Sequence, residues 1–203
     1  MNDQKADSNN LPDTVAFQHE FTREFMESPE EVKDGYYRFK SKTDGYTMLY
    51  PTNAEMDDRY YEIKKDLIEF IFYGGKKKEN ISFSVKAKYE NSKLADIIWL
   101  NLETLSESIG YEGEYQKLEY KDKTIYFAKD IYQFEEKEYS PFYSFFAYII
   151  SKKSNQGIEF KYEVTCTNDK KSCQIDTNKE EEIAKMLMKS IQFNPKASGE
   201  KKE

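Results

Sequence analysis

Histidine-dependent chemistry has almost nothing to work with in this chain of 203 residues, because His19 is the only imidazole. It lies between Phe17 and Phe21 in a run with helical spacing of apolar residues, where a helix-face or capping role is expected. A Ser-His-Asp or Cys-His site would have to recruit it, and no GxSxG elbow exists to hold a serine. Paired carboxylates could do acid–base work without histidine. The candidates are Asp57 with Asp58, Glu135 with Glu136 and Glu138, and Glu180 to Glu182. With 38 acidic residues such neighbours arise by chance, and the last group falls where the first turn of a helix favours negative charge. No acidic group has EF-hand spacing. Gly74-Gly75 followed by Lys76-Lys77-Lys78 lacks the rest of a phosphate-binding loop and reads as a hairpin tip, with the lysines solvated or touching an anionic surface.

Cys166 and Cys173 flank an Asn168-Asp169 turn between two short extended runs. Such positions bring Cα atoms to about 5.5 Å, where a bridge can form. Closing this eight-residue loop is worth about 2–3 kcal/mol in the chain-entropy model. The alternative is two free thiols in a reducing cytosol. Zinc would need further ligands and there is no CxxC, so neither a metal nor a cofactor is expected. A disulfide points to an oxidising compartment outside the cytoplasm.

Aromatic residues make up 16% of the chain, with 17 Tyr, 14 Phe and 1 Trp, so a folded core rich in rings is expected. Tyrosine also suits contact surfaces. Tyr60, Tyr61, Tyr139, Phe142 and Tyr143 are the candidates for a binding groove; otherwise they rim the core with their hydroxyls in water. A formal charge of -7, with only Arg23, Arg38 and Arg59 among 31 bases, argues against a nucleic-acid partner.

The elements that must position these residues can be read from periodicity. Phe17, Phe21, Phe25 and Met26 predict an amphipathic helix over 16–27, and Ser28-Pro29-Glu30-Glu31 a further helical turn ending at Gly35. Residues 36–41 and 46–51 predict a hairpin around Asp44-Gly45, ended by Pro51. Leu67–Tyr73 and Ile81–Tyr89 predict two strands, the second strictly alternating: Ile81, Phe83, Val85, Ala87 and Tyr89 on one face, serines and lysines on the other. Ser92 caps a predicted helix from Lys93 to Ile109, ended by Gly110, with Trp99 packing at its edge. Strands are expected at 115–120, 124–128, 142–151 and 158–165, with a turn at Asn155-Gln156-Gly157. A closing helix begins with Thr177 and Glu180 as a capping box and buries Ile183, Met186, Leu187 and Ile191. Strand pairs joined by short turns mean an antiparallel sheet, and the two longer helices are expected to cover one of its faces. The class is α+β, with one domain over 16–193, a polar flexible tether at 1–15 and a disordered tail at 194–203.

Two stretches, Gly35-Tyr36-Tyr37-Arg38-Phe39-Lys40-Ser41 with Asp44-Gly45-Tyr46-Thr47-Met48-Leu49-Tyr50-Pro51, and Ile183 through Phe193, are similar to the opening hairpin and closing helix of the PsbP-like fold. The whole resembles the small Gram-positive surface lipoproteins that wear this fold, although Thr52-Asn53-Ala54 stands where the family's tryptophan follows the proline. The resemblance implies an antiparallel sheet flanked by helices, an α/β/α sandwich, and an accessory or binding module without catalytic residues.

A non-enzymatic extracytoplasmic lipoprotein or secreted module is therefore expected, acting by contact with an envelope or surface protein. It would meet the membrane only through an N-terminal lipid anchor outside this chain. Two other readings are a carrier of a small apolar ligand between sheet and helix, and a hydrolase using two carboxylates.

Overall fold

The computed structural model describes residues 11–78, 80–133, 140–168 and 173–195. The tether's first ten residues and the tail beyond 195 lie outside them. The amphipathic run at the start folds as two four-residue helices, α1 (Val15–Gln18) and α2 (Glu20–Arg23), instead of one helix. His19 makes the break: its backbone is extended, and Nδ1 accepts from the Thr22 amide at 3.4 Å to cap α2. Ser28 to Gly35 form turns and an isolated bridge, not a helix, and Gly35 takes a positive φ of 77°. Glu31 accepts the Gly35 amide at 2.6 Å, so the acid closes a loop and complements no helix dipole.

The opening hairpin is β1 (Tyr36–Lys40) against β2 (Tyr46–Pro51), and β11 (Gln192–Phe193) extends it to a three-stranded sheet in the order β1-β2-β11. Eight strands form the larger antiparallel sheet. Their ranges are β3 (Ala54–Met56), β4 (Glu62–Lys64), β5 (Ile68–Lys78), β6 (Ile81–Asn91), β7 (Gln116–Glu119), β8 (Lys123–Tyr132), β9 (Phe142–Ser151) and β10 (Gln156–Cys166). The order is β3-β5-β6-β10-β9-β8-β7, with β4 also paired to β5. Gly74 and Gly75 lie inside β5, opposite Ser84 and Phe83, so the hairpin closes later, between Lys78 and Ile81. Gly75 is required there by a close approach: a Cβ would come within 2.2 Å of the Asn53 carbonyl oxygen. The β9–β10 turn likewise closes before Gln156. Its buried side chain amide donates to the Tyr89 hydroxyl at 2.7 Å and to the carbonyls of Gly45 and Asn194.

The expected long helix after β6 is broken. Lys93–Asp96 form a 3-10 turn capped by Ser92, and α3 runs from Ile98 to Ile109 with Gly110 as its left-handed C-cap. Asn101, buried in α3, donates its side chain amide to the carbonyls of Leu94 and Ile97, holding the turn against the helix. The last helix, α4 (Thr177–Ser190), is capped by Asp176 through the Lys179 amide at 3.1 Å; Thr177 and Glu180 form no capping box. Glu180 is turned inward instead.

The two longer helices do not share a face, contrary to the expectation from sequence. Alternate residues of β9 feed two separate cores. Phe145, Ala147 and Ile149 join the main core with α4, α1 and the small sheet, while Phe146, Tyr148 and Ile150 join Leu105 of α3 in a second one. A strand apolar on both sides needs cover on both. The result is α+β with an antiparallel sheet between helices, as the resemblance implied. The small sheet lies over β5 and β6, with Tyr50 against Tyr73 at 4.6 Å and Tyr46 against Tyr89 at 5.1 Å between ring centroids.

Cys166 and Cys173 are bridged, with Cα atoms 6.1 Å apart, which fastens the end of β10 to the segment leading into α4. The Cys166→Ala, Cys173→Ala double variant is expected to lose about 2–3 kcal/mol in urea unfolding. Reduction of the wild-type protein should reproduce that loss. A second prediction concerns Glu69, fully buried in β5, which accepts from Ser41 Oγ at 2.5 Å, the Lys42 amide at 3.0 Å and the Tyr61 hydroxyl at 3.1 Å. Burial raises its carboxyl above the ordinary range, against the pull of these donors. The folded state thus binds this proton more tightly than the unfolded chain, and stability falls as pH rises from the unfolded carboxylate range through the folded pKa. Melting temperatures between about pH 4 and pH 8 should show wild type gaining on Glu69→Gln as pH falls.

Candidate functional site

Among the described residues, three of the sequence-derived catalytic candidates, Asp57, Glu180 and Glu181, are engaged by cations. Asp57 holds Arg59 in a two-pronged contact at 2.8 and 2.6 Å, which pulls its carboxyl below the usual range, and Asp58 starts the 3-10 turn that follows it. Glu135, Glu136 and Glu138 lie outside the described residues. Glu181 is paired to Lys129 and to Lys185, each at 2.6 Å, which lowers its carboxyl. Glu180 accepts from the Tyr162 hydroxyl at 2.6 Å and pairs with Lys77. Burial pulls the Lys77 ammonium pKa down against the pull of Glu180, and the ammonium sits over the Phe83 and Tyr162 rings at 5.7 and 5.4 Å. Lys77 is therefore an internal clamp between β5 and α4, not part of a solvated basic tip. A cavity of about 280 Å³ beside it is lined by this same clamp. His19 contacts Thr22 and lies 3.6 Å from Glu55. Among the described residues no group of three or more His, Cys, Asp or Glu could hold a metal ion.

Of the five aromatic residues proposed as a groove, the four described ones are not brought together. Tyr60 is 63% exposed and meets Phe72 edge-on at 5.5 Å. Tyr61 points the other way, into the main core, against Phe21 and Phe25. Phe142 and Tyr143 begin β9, three strands from β5, where Tyr143 packs on the main core. Tyr139 lies outside the described residues.

Two other features stand out, both on the α3 side of the sheet. One is a groove of about 430 Å³ between α3 and Tyr60. Its floor follows from register. Phe70 lies beside Lys88 and then Glu159, and Phe72 beside Lys86 and then Lys161, across β5, β6 and β10. Leu105 and Ser108 of α3 form the wall. The other feature is a ridge on α3 and the turn before it: Trp99 is 69% exposed, Leu94 56% and Leu100 37%. Trp99 was expected to pack at the helix edge; it sits on the outside because Leu105, Ile98 and Ile109 take the inward positions. The alternation of β6 did place Lys86 and Lys88 on an exposed face. Nothing in the sequence marked how much of that face α3 would leave open.

The family model described as "Putative lipoprotein YvcA" matches residues 12–192. A protein of the same description from Bacillus subtilis (strain 168) is 33% identical over 202 residues, covering 92% of this chain and 80% of its own length. No solved structure matches the chain. With a match that spans the opening hairpin, both cores and the closing helix, the chain belongs to the YvcA family of extracytoplasmic lipoproteins.

Proposed function

We propose that this protein is a non-catalytic binding module, held at the cell membrane by an N-terminal lipid anchor, that engages an envelope protein through the ridge on α3. The observation that carries the reading is Trp99. It is the chain's one tryptophan, and it stands 69% exposed with Leu94 and Leu100 close by in sequence. Contiguous exposed apolar side chains mark interaction sites, and tryptophan is the residue most enriched where binding energy concentrates. The absence of catalysis is supported by the carboxylates themselves: Asp57, Glu180 and Glu181 each face a cation and are occupied by it.

The test is crosslinking in living cells of the host. With benzoylphenylalanine replacing Leu100, irradiation should give a discrete adduct of higher mass. Adding Trp99→Ala should reduce its yield at least about fivefold, the loss expected when an interface residue worth about 1 kcal/mol or more is truncated. The melting temperature should hardly move, because a surface side chain is worth within about 0.5 kcal/mol to folding. An adduct pattern identical to that of an unrelated domain on the same tether would refute the partner reading.

A further inference from the structure

The groove on the inner side of α3 carries a charge arrangement that the fold does not explain. Lys86 of β6 and Lys161 of β10 stand directly opposite each other on the open face. Like charges in that relation destabilise a sheet. Neighbouring cations have found acids: Lys88 pairs with Glu159 at 2.7 Å and Lys161 with Glu163 at 2.9 Å. Lys86 is exposed and has no carboxylate partner among the described residues; its ammonium lies 5.6 Å from the centroid of the Phe72 ring. Three lysines and one glutamate line the groove, and with Glu163 paired to Lys161 the local excess is one positive charge, carried by Lys86, in a chain of charge -7.

The apolar half of the groove has a definite shape. Phe70 and Phe72 are alternate residues of β5 on one face, both half-buried, and Tyr60 stands edge-on to Phe72 at the rim. Flat rings present faces and edges that accept another flat ring, and the volume of about 430 Å³ falls within the range of small-molecule sites. We infer that this groove binds a small aromatic acid: its ring system lies against Phe70, Phe72 and Tyr60, and its anionic group sits between Lys86 and Lys161. The acid would relieve the repulsion between those two ammonium groups, which gives the site a preference for anions over neutral rings. Such a site is independent of the Trp99 ridge, which faces away from it, and it differs from simple carriage of an apolar molecule in requiring the charge.

Two dyes with the same rings separate the charge from the apolar contact. The probes are 1-anilinonaphthalene-8-sulfonate and the uncharged N-phenyl-1-naphthylamine, titrated by fluorescence, with amide chemical shifts to locate them. The sulfonate should bind saturably about tenfold more tightly than the neutral amine, the scale of one charge-assisted contact. Its dissociation constant should rise with salt. Shifts should centre on Phe72, Lys86 and Ser108. Lys86→Gln, at an exposed position that folding does not depend on, should bring the sulfonate close to the affinity of the amine. Lys161→Gln should act in the same direction, and Lys121→Gln, on the distant β7–β8 turn, should do nothing. Equal affinity for the two dyes would overturn the inference, as would shifts centred elsewhere or an unchanged constant in Lys86→Gln. None of these outcomes bears on the crosslink from Leu100, so the partner reading stands or falls separately.

Discussion

The architecture turns on β9 being apolar on both of its faces. Most strands here alternate, with one side for the core and one for water, and a single covering layer would satisfy them. Phe145, Ala147 and Ile149 demand cover on one side of β9, while Phe146, Tyr148 and Ile150 demand it on the other. The sheet path is seven strands wide, about 29 Å at the usual strand spacing of 4.8 Å. A helix is about 10 Å across, so one helix shields only about two strands. Placed over β9 and β8, α3 closes the second core and cannot reach β5. The open shelf of Phe70, Phe72, Lys86 and Lys161 is the geometric remainder of that placement.

The opposite face is closed more thoroughly, and with polar groups as well as rings. The small sheet and α4 together span what one helix could not, and large tyrosines fill the space between the layers. Three buried polar groups fix how these layers sit. Gln156 ties β10 to the turn at Gly45 and to Asn194 after β11. Glu69 draws Ser41 and Lys42, at the end of the opening hairpin, onto β5. Glu180 joins α4 to Tyr162 and Lys77. A buried polar group left without partners costs about 1–3 kcal/mol and a buried charge more, so each of these contacts disfavours alternative placements of the layer it holds. The disulfide adds a covalent tie just ahead of α4.

Much of this was legible in the sequence. Strict alternation identified β6 and β10, the Asp44-Gly45 turn and Pro51 bounded the opening hairpin, and the spacing of Cys166 and Cys173 around a turn anticipated their bridge. What failed shares one cause. Helical periodicity at 16–27 and 93–109 gives the direction of the apolar side chains but not the breaks, which depend on His19 and Asn101 finding polar partners in place. Glu180 looked like a first-turn acid because its partner Lys77 is 103 residues away in the chain. The candidate site was less legible still. Exposed lysines on an alternating strand are ordinary, and only the register of β5, β6 and β10 sets Lys86 against Lys161 beside Phe72.

A chain of net charge -7 might be thought a poor receptor for an acid. The range of the interactions decides otherwise. At physiological salt the Debye length is about 8 Å, so the acids spread over the remote surface are screened before their repulsion reaches the groove. What an anion meets there is set by the groups within that distance, and on this shelf three lysines face Glu159 and Glu163, an excess of one positive charge. Two of the three are held by acids in the sheet, which leaves Lys86 as the cation able to change partners without breaking an existing pair. Its neighbour Phe72 offers the flat apolar surface, and α3 keeps one wall dry. The same short helix therefore has two surfaces with different chemistry: an outer ridge of tryptophan and leucine suited to a protein, and an inner wall beside a cationic, aromatic shelf suited to a small acid.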